Sequence, residues 1–502
     1  LNGDIVFNYD GASSGTVIDS NVNVNLNGEG SFWTGNTKAE WNNGNEGKPD
    51  ADKMKVSHMT LQVENGAQWN PTSVKEVGNN SASAGSQAVA LNSLKLNNGV
   101  VNLDSDKLDA NSPVKVEKIS GNGTITTNSL DNKLVIDAKD AGTKLKVEGS
   151  GEIGDKILAG KATLEELAGT AKMGDKIASD EVETQDGIIA GKMFAKVGTD
   201  GKIDASTVKR AIQQHNQAVS SMANLSLMTW RQENNDMNKR LGEVRASEGS
   251  QGIWARMARG QSKYGAQGIK NQYNYYQLGY DSKISDDWIL GGAFTYTDGD
   301  SSYTNGSGTN KHTGFAVYGS NLRDDGSFID LIAKYAHMKN DFDVNGGVGS
   351  GDYSTNGLSF SAEYGKRFQQ EGYWIEPQAE LTYGRVSSAD FTTKNGASVH
   401  QDSMDSLVGR LGFSLGKDIK QGNVYVRASY LYDFQGDTSV TMSKGGAATT
   451  FKTDLGGGWW EFGVGTNLDL GHDTNFYLDV ETTAGGDVDT PWQWNAGVRY
   501  SF

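Results

Sequence analysis

The sequence predicts an all-β protein: a twelve-stranded transmembrane β-barrel with a helical plug, preceded by a parallel β-solenoid. Three observations predict it. From residue 252 onward the chain alternates aromatic and polar residues in twelve segments. Before residue 200 it is rich in Gly and Asn and repeats a loose apolar motif. Between these two textures, 202–252 contain no proline and no glycine before Gly242.

Composition sets the limits. The chain has 502 residues, 65 glycines, 5 prolines and 36% hydrophobic residues, which suits two to four domains. No run of 18 apolar residues exists, so a transmembrane helix is excluded while alternating barrel strands are not. The absence of cysteine rules out thiolate chemistry and Cys-based metal sites, and it suits export through an oxidising compartment. A net charge of −16 and a pI near 4.9 argue against a nucleic-acid partner, which requires a basic footprint. The opening LNGDIVFNYDG has no initiating Met, basic n-region or apolar h-region, and reads as a mature form or a fragment.

In the first 200 residues the motif apolar-x-apolar, polar, Gly, apolar appears as NLNGEGSFW (25–33), LQVENGAQW (61–69), LKLNNGVVNL (94–103), EKISGNGTI (117–125) and LKVEGSGEI (145–153). Short strands with Asn/Gly corners and irregular spacing describe solenoid rungs joined by variable loops. LVIDA (134–138) and LKVEG (145–149) are more apolar, KATLEELAG (161–169) reads as a short helix, and GIIAGKMFAKV (187–197) as a closing strand or hairpin. Such atypical segments would cover the last apolar face of a stack. The expected parts are therefore solenoid 1–110, cap 111–202, linker helix 203–250 and barrel 251–502.

No chemistry is evident in this stretch. GASSG (11–15) has the letters of a nucleophile elbow, but no helical pattern follows Ser13 and no histidine precedes His58, so it reads as a loop. The turns holding Asp104 with Asp106 and Asp137 with Asp140 lack calcium-loop spacing. No metal site and no cofactor are predicted.

In the helical stretch, Asp204 and Ser206 are N-cap candidates. Val208, Ile212, Val219, Met222, Leu225, Leu227 and Met228 follow at roughly helical spacing. Beyond Trp230 polar residues dominate, among them Arg231, Asn234, Asn235, Asn238, Lys239, Arg240 and Arg245. A helix so polar on every side is not a core helix. It suits solvent or a polar, water-lined tube.

Strands are expected near 252–263, 271–283, 288–298, 310–322, 327–339, 355–368, 373–387, 403–417, 422–434, 458–470, 474–484 and 491–502. Tight turns (284–287, 323–326, 369–372, 418–421, 471–473) alternate with connections expected to be mostly longer, such as 388–402 and 435–457. An even count with short turns at one end is an outer-membrane pattern. In the last strand Trp492, Trp494, Ala496, Val498, Tyr500 and Phe502 face one way and Gln493, Asn495, Gly497, Arg499 and Ser501 the other. Pro377, inside the alternation of 373–383, is expected to mark a bulge.

NKRLGEVR (238–245), GIWARM (252–257), FIDLIAKY (328–335), WIEPQAELTYG (374–384) and VRYSF (498–502) resemble the barrel signatures of the monomeric (type Va) autotransporters. The resemblance is strongest over 235–502, and the earlier part matches in texture only. It implies insertion in the outer membrane by the barrel-assembly machinery, which reads the final strand with Trp494, Tyr500 and Phe502, and delivery by periplasmic chaperones. It also implies export of an N-terminal passenger to the cell surface, where it would meet a ligand the sequence does not name.

The barrel further resembles that of the serine protease autotransporters of Enterobacteriaceae, although this chain shows no protease domain. In that subfamily the first of two adjacent asparagines cyclises and cuts the linker inside the barrel, aided by lumen carboxylates. The matching run here is Asn235-Asp236-Met237-Asn238-Lys239-Arg240, with Asp236 in place of the second asparagine. The implied acids fall on Asp330, Glu363 and Glu380. The alternative, favoured by Asp236, is that these acids seat the helix by pairing with Arg499, Lys334 or the helix's own cations. Three functions thus stand: a device that exports and releases its passenger, a tethered surface adhesin or binding protein, and a plugged channel. An enzyme with a conventional substrate is the least supported.

Overall fold

The computed structural model describes residues 1–9, 21–41, 58–77, 84–104, 108–109, 111–245 and 250–502, with the backbone alone over 236–245. Two compact units result, Leu1–Gln213 with Lys444–Ala448, and Gln214–Ser443 with Thr449–Phe502.

In the first unit, Asn21–Asn27, His58–Glu64, Leu91–Asn102 and Val114–Thr127 pair in parallel in that order. Leu134–Lys139 and Lys144–Gly149 then pair in parallel with successive parts of Val114–Thr127. Parallel stacking in register sets like residues over like. Leu61, Leu94 and Ile119 are buried in line, and Trp33 stacks on Trp69 with ring centroids 5.8 Å apart. On the outward side Asn70 donates to Thr34, Asn102 to Asn70 and Thr126 to Asn102, each at 3.1 Å. At one corner Asn65 and Gly66 both have positive φ, 54° and 83°, a conformation that favours these two residue types.

The fifth repeat departs from the pattern. After Lys144–Gly149 the chain enters a helix, α1 (Gly151–Leu158), instead of a further strand. Ile153 and Ile157 bury one face of it at helical spacing. Helix α2 (Leu164–Ala168) starts with a capping box between Thr163 and Glu166. In 187–197 the strand is short, Phe194–Lys196, paired antiparallel to Glu181–Thr184. GASSG and Asp106 lie outside the described residues.

The expected long helix starts later than its sequence pattern suggested. Asp204 accepts from Ser206 N at 3.0 Å, but it caps a 3-10 turn, Ala205–Thr207. Residues 208–212 are extended, with bridges from Lys209 to Phe194 and from Ile212 to Ala190. Val208 and Ile212 are four apart, a spacing that helix and strand both satisfy, and pairing with the neighbouring hairpin decided it. Helix α3 runs from Gln217 to Arg245. Among the described residues no helix is long and apolar enough to cross a membrane.

The second unit is built on twelve antiparallel strands: β1 (Gln251–Tyr264), β2 (Ile269–Lys283), β3 (Trp288–Tyr303), β4 (Gly306–Leu322), β5 (Ser327–Val344), β6 (Gly349–Lys366, continued by Phe368–Gln370), β7 (Tyr373–Val386), β8 (Met404–Ile419), β9 (Gly422–Asp433), β10 (Gly457–Asp469), β11 (Thr474–Ala484) and β12 (Val488–Ser501). Each pairs with the next, and β12 pairs with β1 from Ser501↔Gly252 to Val488↔Tyr264. The sheet is a closed barrel and has no free edge.

Two expectations about the barrel need correction. Four of the connections expected to be long are short (265–268, 304–305, 345–348 and 485–487), because β1 to β6 and the start of β12 carry their strand pairing past the expected ends. Length on that side comes from 387–403 and 434–456, whose strands Ala389–Thr392, Ser398–Gln401, Asp437–Lys444 and Ala447–Asp454 form a separate sheet. Pro377 marks no bulge. The β6–β7 ladder keeps one register from Gly365↔Gln378 to Phe368↔Ile375 and is interrupted at Arg367 between them. Proline has no N–H to give the ladder, and a missing rung satisfies that without a shift.

Alternation assigns the faces. Leu278, Phe294, Phe315, Tyr335 and Leu358 are large, apolar and exposed on the outer wall. Asp281, Arg256, Lys334, Arg410, Glu461 and Arg499 are buried on the inner one.

Candidate functional site

The lumen is occupied by α3. Every residue from Ala218 to Trp230 is buried, yet serine, asparagine and threonine are frequent among them. Each polar group finds a partner type on the equally polar wall. Near the end with the longer connections, Ser221 and Asn224 donate to Gln267 at 3.0 and 2.7 Å, and Thr438 donates to Asn224. Deeper in, Trp230 Nε1 donates to the Leu358 carbonyl at 3.3 Å. Its ring lies over Gly357, where an added Cβ would come within 2.8 Å of the indole.

Two charged clamps hold the next turn. Glu233 is 2% exposed and accepts from Lys334 Nζ at 2.7 Å and from Thr297 at 2.6 Å, with His312 Nδ1 at 2.6 Å. The Lys334 ammonium also sits 4.7 Å over the Trp230 ring and 4.9 Å over that of Tyr275. Arg231 reaches the opposite wall, pairing with Asp433 at 3.1 Å and donating to the Leu455 carbonyl at 2.7 Å. Burial makes such pairs costly to break, because the surviving charge is left desolvated.

One residue pair further, Asn234 accepts from Ser359 at 2.8 Å and Asn235 Nδ2 donates to Glu461 at 2.6 Å. Asn235, Glu461, Glu380 and Arg410 line one cavity of about 50 Å³, enough to hold water among polar groups.

The acids implied by the resemblance are brought together. Asp330, Glu363 and Glu380 are register partners on β5, β6 and β7, and Arg410 on β8 continues the row. They are not an uncompensated acidic cluster. Arg410 binds Glu380 at 2.7 Å and Glu363 at 3.3 Å. Asp330 accepts from Ser320 at 2.6 Å and is not among the residues lining the Asn235 cavity. The cations expected to seat these acids are used elsewhere, Arg499 with Asp281 and Lys334 with Glu233. The Asp236 side chain lies outside the described residues, as do those of Asn238, Lys239, Arg240 and Arg245.

Sequence reasoning missed Glu461, Arg410 and Glu233. Their signals were present. Glu461 sits between outward Trp460 and Phe462, and Arg410 precedes outward Leu411. Arg231 and Glu233 are the only Lys, Arg, Asp or Glu residues between Arg210 and Asp236. At the other end of the chain Trp492, Tyr500 and Phe502 are exposed on the outer wall, with Trp494 half-buried on the same face. The Tyr500 and Phe502 rings stack 6.1 Å apart.

Comparison with known proteins bears on this barrel directly. Residues 253–481 match the family model described as the autotransporter beta-domain. The barrel is an autotransporter β-domain. Its alternating strands thereby belong to the bacterial outer membrane, with the apolar face toward lipid. Among curated relatives, the pertactin autotransporter of Bordetella parapertussis is 33% identical over 294 residues, covering 55% of this chain and 32% of its own. The serine protease pet autotransporter of Escherichia coli O44:H18 is 34% identical over 282 residues, covering 53% of this chain and 22% of its own. The chain thus spans a third or less of the length of these two curated relatives. A solved structure, the beta domain of the Bordetella autotransporter BrkA, covers 50% of this chain and 100% of its own at 26% identity and a TM-score of 0.42.

Proposed function

We propose that this β-domain exports the N-terminal portion of its own chain to the cell surface and keeps it tethered there through α3. In this reading 1–110 are a β-solenoid passenger, 111–202 its cap, 203–250 the linker and 251–502 the translocator. Trp494, Tyr500 and Phe502 present the outward aromatic signal to the barrel-assembly machinery, after delivery by periplasmic chaperones. The exposed solenoid would carry any surface ligand. One observation carries the reading: α3 fills the lumen and its first turns meet Gln267 at the long-connection end. In outer-membrane barrels that end faces outward, so the chain leading into the helix starts outside. Parallel stacking of 21–149 supports the solenoid.

Protease treatment of intact cells tests export. The expected result is loss of 1–202 while the barrel persists. Protection of both until the outer membrane is breached would contradict export.

Release by self-cleavage is the second reading, favoured by the Asn235–Glu461 hydrogen bond. Nδ2 would attack the Asn235 carbonyl carbon and close a succinimide. The peptide bond to Asp236 would break, and the Nδ2 proton would pass through the carboxylate to the departing amine. Against it, Asp236 stands where the subfamily has asparagine, and Arg410 already engages Glu380 and Glu363. Intact mass of the membrane-inserted chain beside Asn235→Ala decides. A single full-length mass in both is expected. Two pieces in the unsubstituted chain alone, the first ending at Asn235, would replace the tether with release.

A further inference from the structure

Cross-strand register sorts the outer wall into rows. Leu278, Phe294, Phe315, Tyr335 and Leu358 form one row on β2 to β6, all exposed to lipid. The next row toward the long connections is mixed and contains Tyr276 stacked on Tyr296 at 6.3 Å. Such aromatics mark the membrane interface. The row beyond it reads Arg259, Asn274, Asp298, Lys311, Lys339 and Ser354.

Lys311 and Lys339 in that row are direct cross-strand partners, which sets their Cβ atoms about 5 Å apart. Both are exposed, and neither forms an ion pair among the described residues. Like charges so placed repel unless an anion lies between them. The carboxylates Asp300, Asp341 and Asp352 lie one row farther out, about 7 Å beyond. Apart from Asp298, the register partner of Lys311 on β3, cations therefore stand at the edge of the hydrocarbon band and acids beyond it. That is the order a phosphate at headgroup depth requires. Arg259, donating to Asn274 at 3.2 Å, lies three strands along the row, about 14 Å away, past Asp298.

We propose that the Lys311–Lys339 pair binds a phosphate of an outer-leaflet lipid, and that Arg259 takes a second phosphate of the same headgroup. The ligand is a membrane lipid bearing two phosphates, held where the barrel meets the outer leaflet.

The test uses the full chain refolded in detergent micelles with lipid A as the probe, in bisphosphorylated, monophosphorylated and phosphate-free forms. Retained lipid is counted by native mass spectrometry. Retention should fall in that order. Lys311→Gln and Lys339→Gln should each lower retention of the bisphosphorylated form about fivefold, whereas Lys417→Gln at the opposite end of the barrel should not. Heat-modifiable gel mobility confirms that the variants fold. Equal retention of phosphorylated and phosphate-free lipid would overturn the proposal, as would an equal loss in Lys417→Gln. Full displacement by inorganic phosphate at the same concentration would also overturn it, by making the site one for a free anion.

Discussion

Glu233→Gln tests what keeps α3 in the barrel. The carboxylate is buried against the Lys334 ammonium at 2.7 Å, with His312 and Thr297 completing its shell. The substitution keeps the side chain's shape and removes its charge, leaving Lys334 inside the lumen without its counter-ion. Breaking a buried pair on one side costs about 3–5 kcal/mol. The contacts of Lys334 with the Trp230 and Tyr275 rings exist with or without the carboxylate and offset none of this difference. Taking the lower figure, the balance between seated and unseated helix shifts on the order of a hundredfold. The assay is ion conductance of the full chain in planar bilayers, where the unsubstituted protein should stay closed and Glu233→Gln should open repeatedly. Adding Lys334→Met removes the stranded charge and should restore closure, because a neutral buried pair carries no desolvation penalty. A single variant as closed as the parent would refute the clamp. So would a double variant that opens as often as the single one.

Gly357→Ala should lower the unfolding midpoint read from heat-modifiable mobility, since its Cβ would come within 2.8 Å of the Trp230 ring and overpacking costs about 1–3 kcal/mol. An unchanged midpoint would mean that Trp230 does not lie against β6. In the hairpin outside the barrel wall, the hydrogen bond His400 donates to Asp390 and the nearby Asp402 raise the His400 pKa above 6.5. The resulting stabilisation is complete below that value and is lost as pH rises through the elevated folded pKa. Nuclear magnetic resonance titration should find His400 titrating above 6.5, and Asp390→Asn should bring it back toward that value; titration at or below 6.5 in the parent would contradict the contact.

The barrel was legible because a strand's period of two forces its evidence into the sequence. Trp492 to Phe502 had to alternate if one face met lipid and the other the lumen, and they do. The ends were less legible. Beyond Asp298 and Lys339 the outward residues turn polar, so an apolar outer face stops signalling a strand although pairing continues to Tyr303 and Val344. Pro377 misled for a related reason. A missing N–H can be met by an extra residue or by a missing rung, and sequence does not separate the two. The 208–212 segment shows the same ambiguity between helix and strand, resolved by a partner hairpin that local spacing cannot encode.

The site was legible in its parts and not in its pairing. Asp330 and Glu380 alternate with more exposed neighbours and turn inward, but which cation each acid meets depends on shear around a closed sheet. That register set Arg410 beside Glu380 and left Lys334 facing α3. The helix posed the deeper problem. A stretch such as Ser220 to Thr229 carries too many polar groups for a soluble core and too few charges for a solvated helix. Its stability depends on walls that present Gln267, Asn271, Asn310 and Asn340 in return. A polar helix is buried without penalty where the surroundings can satisfy it, and in a single sequence those surroundings lie more than a hundred residues away in part. The two formal charges between Arg210 and Asp236, Arg231 and Glu233, each meet an opposite charge on the wall.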